Sequence, residues 1–242
     1  MPLFYLKKIL YRLYLETKYF SIRLFDFFGF NKIYFELVTK KIIQKSILRN
    51  RIISSKHKSP NQIFDKINQS DINKLINHEF DLLGSGYVKV NYVTEKNNVD
   101  SLKYKNYHDE SKIIRIKSEI NSYLGDKFDL NEYEPIDWQL DFISGYRWDE
   151  KTWYRDIKVF DMDGVDIKRP WELSRLQHLP RLAFNYYLDN NNEHLAKECV
   201  YQITDWILNN RVRRGVNWRT TMEVSIRACN ILLTVELIQN SK

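Results

Sequence analysis

The sequence predicts an all-α chain whose last third is an array of helical hairpins, with a loop-rich segment ahead of the array. Three observations predict it. The 242 residues include only 7 Gly and 5 Pro, too few for the many tight turns of a sandwich or barrel. Hydrophobic residues make up 43% and aromatics 14%, enough to bury a core and too many for a disordered chain. Beyond residue 168, apolar side chains recur at helical spacing, with short polar breaks between the runs.

In order, residues 1–50 read as one or two amphipathic helices. Leu6, Ile9, Leu10 and Leu13 recur at helical spacing, with Lys7, Lys8 and Arg12 between them. Such a stretch either docks on the rest of the fold or lies on a membrane surface. Polar residues 51–60 read as a linker, and Ser59-Pro60-Asn61 opens a short helix reaching about Leu75. Gly84-Ser85-Gly86 marks a turn, and Tyr87, Val88, Val90 and Tyr92 suggest an extended segment after it. The glycines make no nucleotide loop, because the Lys-Ser/Thr of a P-loop and the third Gly of a dinucleotide fold are missing. A further helix is expected over about Ser111–Leu124, followed by an aromatic, acidic loop holding Trp138, Asp141, Arg147 and Trp148.

The last third is the most regular part. Arg169-Pro170-Trp171 starts a helix lined by Leu173, Leu176, Leu179, Leu182, Ala183 and Tyr186. Asp189 to Asn192 breaks it, and a second helix is expected over about Glu193–Asn209. After a turn at Gly215, a third helix is expected from Asn217 or Trp218 through Ile238. Its Ile231, Leu232, Val235 and Ile238 form an apolar stripe with no later helix to cover it, so the chain is expected to be truncated. The resulting division is 1–55 as a basic amphipathic segment, 56–150 as mixed helix and aromatic loop, and 151–242 as the start of the helical array.

The net charge of +7 admits nucleic acid, an anionic membrane surface or an acidic polymer as partner, or simply a solvated basic surface. Nucleic acid is disfavoured, since the basic residues are scattered and no recognised motif is present. Cys199 and Cys229 are too far apart for a CxxC motif and read as reduced thiols. Neither an uninterrupted apolar leader nor an uncharged run of membrane-spanning length is visible, so a cytoplasmic location is the default.

Four stretches resemble heparinase II/III-like and alginate-lyase-like polysaccharide lyases: FDLLGSG at 80–86, IDWQLDFISGYRW at 136–148, DIKRPWELSRLQHLPRLAFNYYL at 166–188, and GVNWRTTMEVSIRACN at 215–230. The resemblance implies an incomplete (α/α) toroid followed by a C-terminal β domain absent from this chain, and an acidic polysaccharide as partner. It implies β-elimination at a uronic acid: a base takes the C5 proton beside the carboxylate, and the oxygen on C4 departs. No cofactor or metal is expected, and a periplasmic location becomes the alternative to a cytoplasmic one.

By the same resemblance, Asn217 is the catalytic amide that neutralises the substrate carboxylate, a task suited to an NH₂ donor at a helix mouth. Read as residues alone, Asn217 serves equally as an N-cap. Arg175, Glu172 and His178 form either a uronate clamp facing the cleft or an ion-pair ladder on one helix face. Trp171, Trp138 and Trp148 either stack on sugar rings or pack the core. Arg219 either contacts substrate or joins a structural ion pair between Glu223 and Arg227. The proton-transfer Tyr and His of such lyases are not matched here, so the chain alone is expected to be inactive. The competing expectation is a non-catalytic glycan-binding or assembly protein of capsule or O-antigen production.

Overall fold

The computed structural model describes residues 68–92, 110–125, 133–159, 163–188 and 192–241. The amphipathic segment expected over 1–55 and the linker at 51–60 lie outside them. The described residues form six α-helices: α1 Gln69–Ile76, α2 Glu110–Leu124, α3 Lys168–Ser174, α4 His178–Leu188, α5 Glu193–Asn209 and α6 Thr221–Ile238. Their one sheet is an antiparallel hairpin of β1 Glu79–Asp81 and β2 Tyr87–Lys89, with Phe80 opposite Val88. The architecture is therefore mainly helical. Among the described residues, no helix is long and apolar enough to cross a membrane.

Local chemistry explains most boundaries. Asn68 caps α1 by accepting from Asp71 N, Asn192 caps α5 by accepting from His194 N, and Thr220 caps α6 by accepting from Glu223 N. Two expectations are corrected here. The single helix expected from Arg169 to Leu188 is broken, with Leu176 at φ 58° between α3 and α4. Pro180 supplies the reason: in a continuous helix its ring would collide with the Leu176 carbonyl, and it has no N–H to donate there. In the first turn of a new helix that loss is harmless. The third helix opens at Thr221, after a 3₁₀ turn at Val216–Trp218. Asn217 is therefore not its N-cap.

α4 packs against both α5 and α6, and α2 packs on α5. The main core joins Trp138, Leu140 and Phe142 to Leu173, Leu176, Leu179, Leu182 and Trp206, so the aromatic loop and the helical array share one interior. Of the stripe expected to be uncovered on α6, Ile238 is buried and Ile231 packs partly on the core, while Leu232 and Val235 are exposed.

Candidate functional site

The segment 210–220 is held by an amide hub. Gly215 has φ 72°, a left-handed conformation that suits glycine, and a Cβ there would lie 2.7 Å from Gln139 Oε1. Gln139 Oε1 accepts from Val216 N at 2.9 Å, and its Nε2 donates to Asn210 Oδ1 at 2.8 Å. Asn217 completes the hub. Its Nδ2 donates to the Trp138 carbonyl at 2.7 Å and to Asn210 Oδ1 at 2.8 Å. The side chain is enclosed, at 1% exposure. Both amide hydrogens are thus spent inside the protein, and Oδ1 is a buried atom with no partner among the described residues. The resemblance implies a donor to substrate at Asn217; in this structure the side chain pins the 3₁₀ turn to the aromatic loop and offers no N–H outward.

A second cluster ties α3 to α6. Arg175 donates through Nε to Glu223 Oε2 at 2.7 Å and through Nη2 to Glu223 Oε1 at 3.0 Å, while Nη1 pairs with Glu172. The bidentate hydrogen bond to buried Glu223 is the main reason its pKa is raised. Arg227, 2% exposed, lies over the Trp206 ring at 3.9 Å and donates to the carbonyls of Ser174 and Asn217. Asn230 Nδ2 donates to the Arg175 carbonyl at 2.8 Å. Side chains of α6 therefore satisfy carbonyls that the end of α3 leaves open.

The expected ion pair between Glu223 and Arg227 is accordingly corrected: Glu223 binds Arg175, and Arg227 binds backbone and indole. Two carboxylates and two guanidiniums balance in this cluster, so Arg175 and Glu172 brace helices and leave little charge for a uronate.

His178 is also corrected from a cleft residue to a core one. It is 8% exposed, its Nε2 donates to Gln202 Oε1 at 2.7 Å, and Phe80 packs on its ring. Burial pushes its pKa down to about 4, so it is neutral at physiological pH. Trp138 is wholly buried, and Trp148 is 2% exposed with Nε1 donating to the Lys158 carbonyl. The aromatic loop is thus interior, with Asp141 paired to Arg169 and Asp137 to Arg147. Trp171 differs. It is half-buried, and its Nε1 donates to the Val216 carbonyl at 2.8 Å, which places the ring beside the 210–220 segment. Among the described residues Arg219, half-buried, makes no ion pair and so does not join the brace, and its buried Nε has no partner there.

The structure brings together a basic face that sequence reasoning missed. Backbone hydrogen bonds join loop 151–154 to 213–215: Tyr154 N to Arg213 O at 3.0 Å, and Gly215 N to Thr152 O at 2.8 Å. Trp153 and Arg214 form an isolated antiparallel bridge. Arg214 Nη1 donates to the Lys151 carbonyl at 2.7 Å. Lys151 and Arg211 are exposed, Arg213 and Arg214 half-buried, and none of the four has a carboxylate partner among the described residues. Arg213 adopts φ 62°, a conformation uncommon outside glycine and often found where a loop has a task. The run RVRR at 211–214 was the available signal; Lys151, some sixty residues away, had none. Among the described residues no cluster of His, Cys, Asp and Glu is arranged to hold a metal.

No curated protein and no solved structure matches the chain. A family profile described as Heparinase II/III N-terminus matches residues 61–242, a span that takes in the amide hub, the α3–α6 brace and the basic face. On that match the chain belongs to the heparinase II/III N-terminus family.

Proposed function

We propose that this chain is the helical N-terminal domain of a polysaccharide lyase and holds a uronic-acid-containing glycan for β-elimination. The observation that carries the reading is the basic face, where Lys151, Arg211, Arg213 and Arg214 gather from two loops without carboxylate partners among the described residues. A uronate polymer presents a negative group on each acidic sugar, and a cationic surface draws it in and orients it. β-Elimination needs such neutralisation, because the proton leaving C5 is poorly acidic while the adjacent carboxylate keeps its charge. Trp171, half-buried beside the same segment, supplies the exposed part of its ring as an apolar surface for a sugar. A toroidal course of the helices fits this reading.

One observation favours a second reading, a protein that holds glycan without cleaving it. Asn217, expected to act on the substrate carboxylate, and His178, expected to line the uronate clamp, are both enclosed and hydrogen-bonded within the fold.

The test is calorimetric titration of the whole chain with uronate oligomers at low and high salt, alongside ultraviolet detection of unsaturated product. Binding that weakens with salt supports the holding role; because the chain alone is expected to be inactive, the appearance of product would establish a lyase, whereas its absence fits both readings. Arg211→Gln with Arg213→Asn should weaken binding roughly tenfold, about 0.7 kcal/mol per charge. Asn tolerates the left-handed backbone at 213. Uronate binding that ignores both the salt and the variant would defeat the proposal.

A further inference from the structure

A cleft of about 260 Å³ lies between α1 and the start of α5. Its floor is aliphatic: Ile72 and Leu195 are buried, and Ile76 is half-buried. Among the described residues its rim is polar and carries no Lys, Arg, Asp or Glu, being formed by the exposed side chains of Gln69, Asn73, Asn77 and His194. Gln69 Nε2 donates to Asn73 Oδ1 at 2.8 Å, which orients both amides and leaves Gln69 Oε1 and Asn73 Nδ2 without partners among the described residues. Asn77 ends α1 through its backbone, its N–H reaching the Asn73 carbonyl, and its carboxamide has no partner among the described residues. At the other wall, His194 N donates to Asn192 Oδ1 and Leu195 N to Asn192 O. The mouth of α5 is thereby closed to an anion by its own cap.

We propose that this cleft binds one neutral hexopyranose unit. Carboxamides both donate and accept, and so does every sugar hydroxyl. The aliphatic floor matches the C–H face of a pyranose ring, as small-ligand sites set a few placed polar groups over an apolar base. Among the described residues no Lys, Arg, Asp or Glu lines the cleft, so the described lining offers no side-chain charge with which to select an acidic sugar. Its volume is below the roughly 300–1,000 Å³ of drug-sized sites, which limits it to a small occupant. The site is distinct from the basic face: the 17 residues of α5, at 1.5 Å each, separate its two ends by about 25 Å. Nothing in the proposal depends on the uronate reading.

The experiment is a two-dimensional NMR titration of the whole chain with neutral glucose, galactose, mannose and N-acetylglucosamine disaccharides. Saturable millimolar shifts in the side-chain amides of Asn73 and Asn77 and in the His194 ring are expected with at least one of them. Asn73→Ala with Asn77→Ala should weaken that binding by about tenfold or more. Both positions are exposed with right-handed backbone, so the variant should melt with the parent. The variant Arg211→Gln with Arg213→Asn should bind the neutral sugar unchanged. Absence of saturable shifts with every disaccharide, shifts that map only to 151–154 and 211–215, or full binding by the double alanine variant would each overturn the proposal.

Discussion

Gly215→Ala should be among the most damaging single-methyl additions to this protein, and its cost can be worked from the geometry. At φ 72° an alanine is held left-handed, which costs about 1–2 kcal/mol. The new Cβ would also sit 2.7 Å from Gln139 Oε1 and 2.9 Å from Gln139 Nε2, closer than such atoms approach. Gln139 is 2% exposed and has nowhere to retreat without releasing Val216 N or Asn210 Oδ1, and a buried group left unpaired costs about 1–3 kcal/mol. The expected loss is about 2–5 kcal/mol. Gly125→Ala is the control, since φ there is 78° and nothing lies within 4 Å of the added methyl; it should cost only the backbone term. Urea unfolding followed by tryptophan fluorescence measures both. Gly215→Ala combined with Gln139→Ala should cost less than the sum of the two single changes, because each disturbs the same Gln139 hydrogen bonds. Equal losses at 215 and 125, with no coupling to residue 139, would refute the close-approach reasoning and leave only backbone strain.

Two further outcomes follow from the buried polar groups. Glu223→Gln removes the carboxylate that takes two hydrogen bonds from Arg175 while 1% exposed, and about 3–5 kcal/mol should be lost. Glu172→Gln, on the half-exposed side of the same arginine, should cost under about 1 kcal/mol; equal effects would mean that the brace does not depend on burial. For pH, burial raises Asp205 to about 6 from an ordinary 3.8, and depresses His178 to about 4 from 6.5. A raised acid stabilises below its unfolded pKa and loses that as pH climbs through about 6. A depressed histidine stabilises above 6.5 and loses that as pH falls through about 4. Each term is worth about 3 kcal/mol, and between pH 4 and 6.5 they oppose one another. Asp205→Asn should therefore make stability fall more steeply on acidification than in the parent, measured by urea unfolding at several pH values; an unchanged slope would show that Asp205 is not held protonated.

Much of the secondary structure was legible because it rests on local rules. The runs Leu195, Ala196, Cys199 and Trp206 report a helix without reference to any distant residue, and α2 and α5 fall within a residue of expectation. The break between α3 and α4 was legible too, since Pro180 forbids a continuous helix wherever it is placed; the regular leucine spacing concealed it. The basic run at 211–214 was visible in the text, but as a turn.

The fate of the polar residues was a different matter. Asn217, His178, Trp138 and Trp148 are residue types as suited to a cleft as to a core, and the choice depends on which remote segment closes over them. Asn217 meets Trp138 across 79 positions, Arg175 meets Glu223 across 48, and His178 meets Gln202 across 24. Periodicity specifies which face a side chain takes on its own helix, and by itself determined a mainly helical protein with short polar breaks between its elements. Only the tertiary structure decided that the nominated donor is a buried strut, that the nominated clamp is a brace, and that the free cations stand elsewhere. The physical reason is that desolvation and hydrogen-bond pairing belong to the packed assembly of segments, and no single segment carries them.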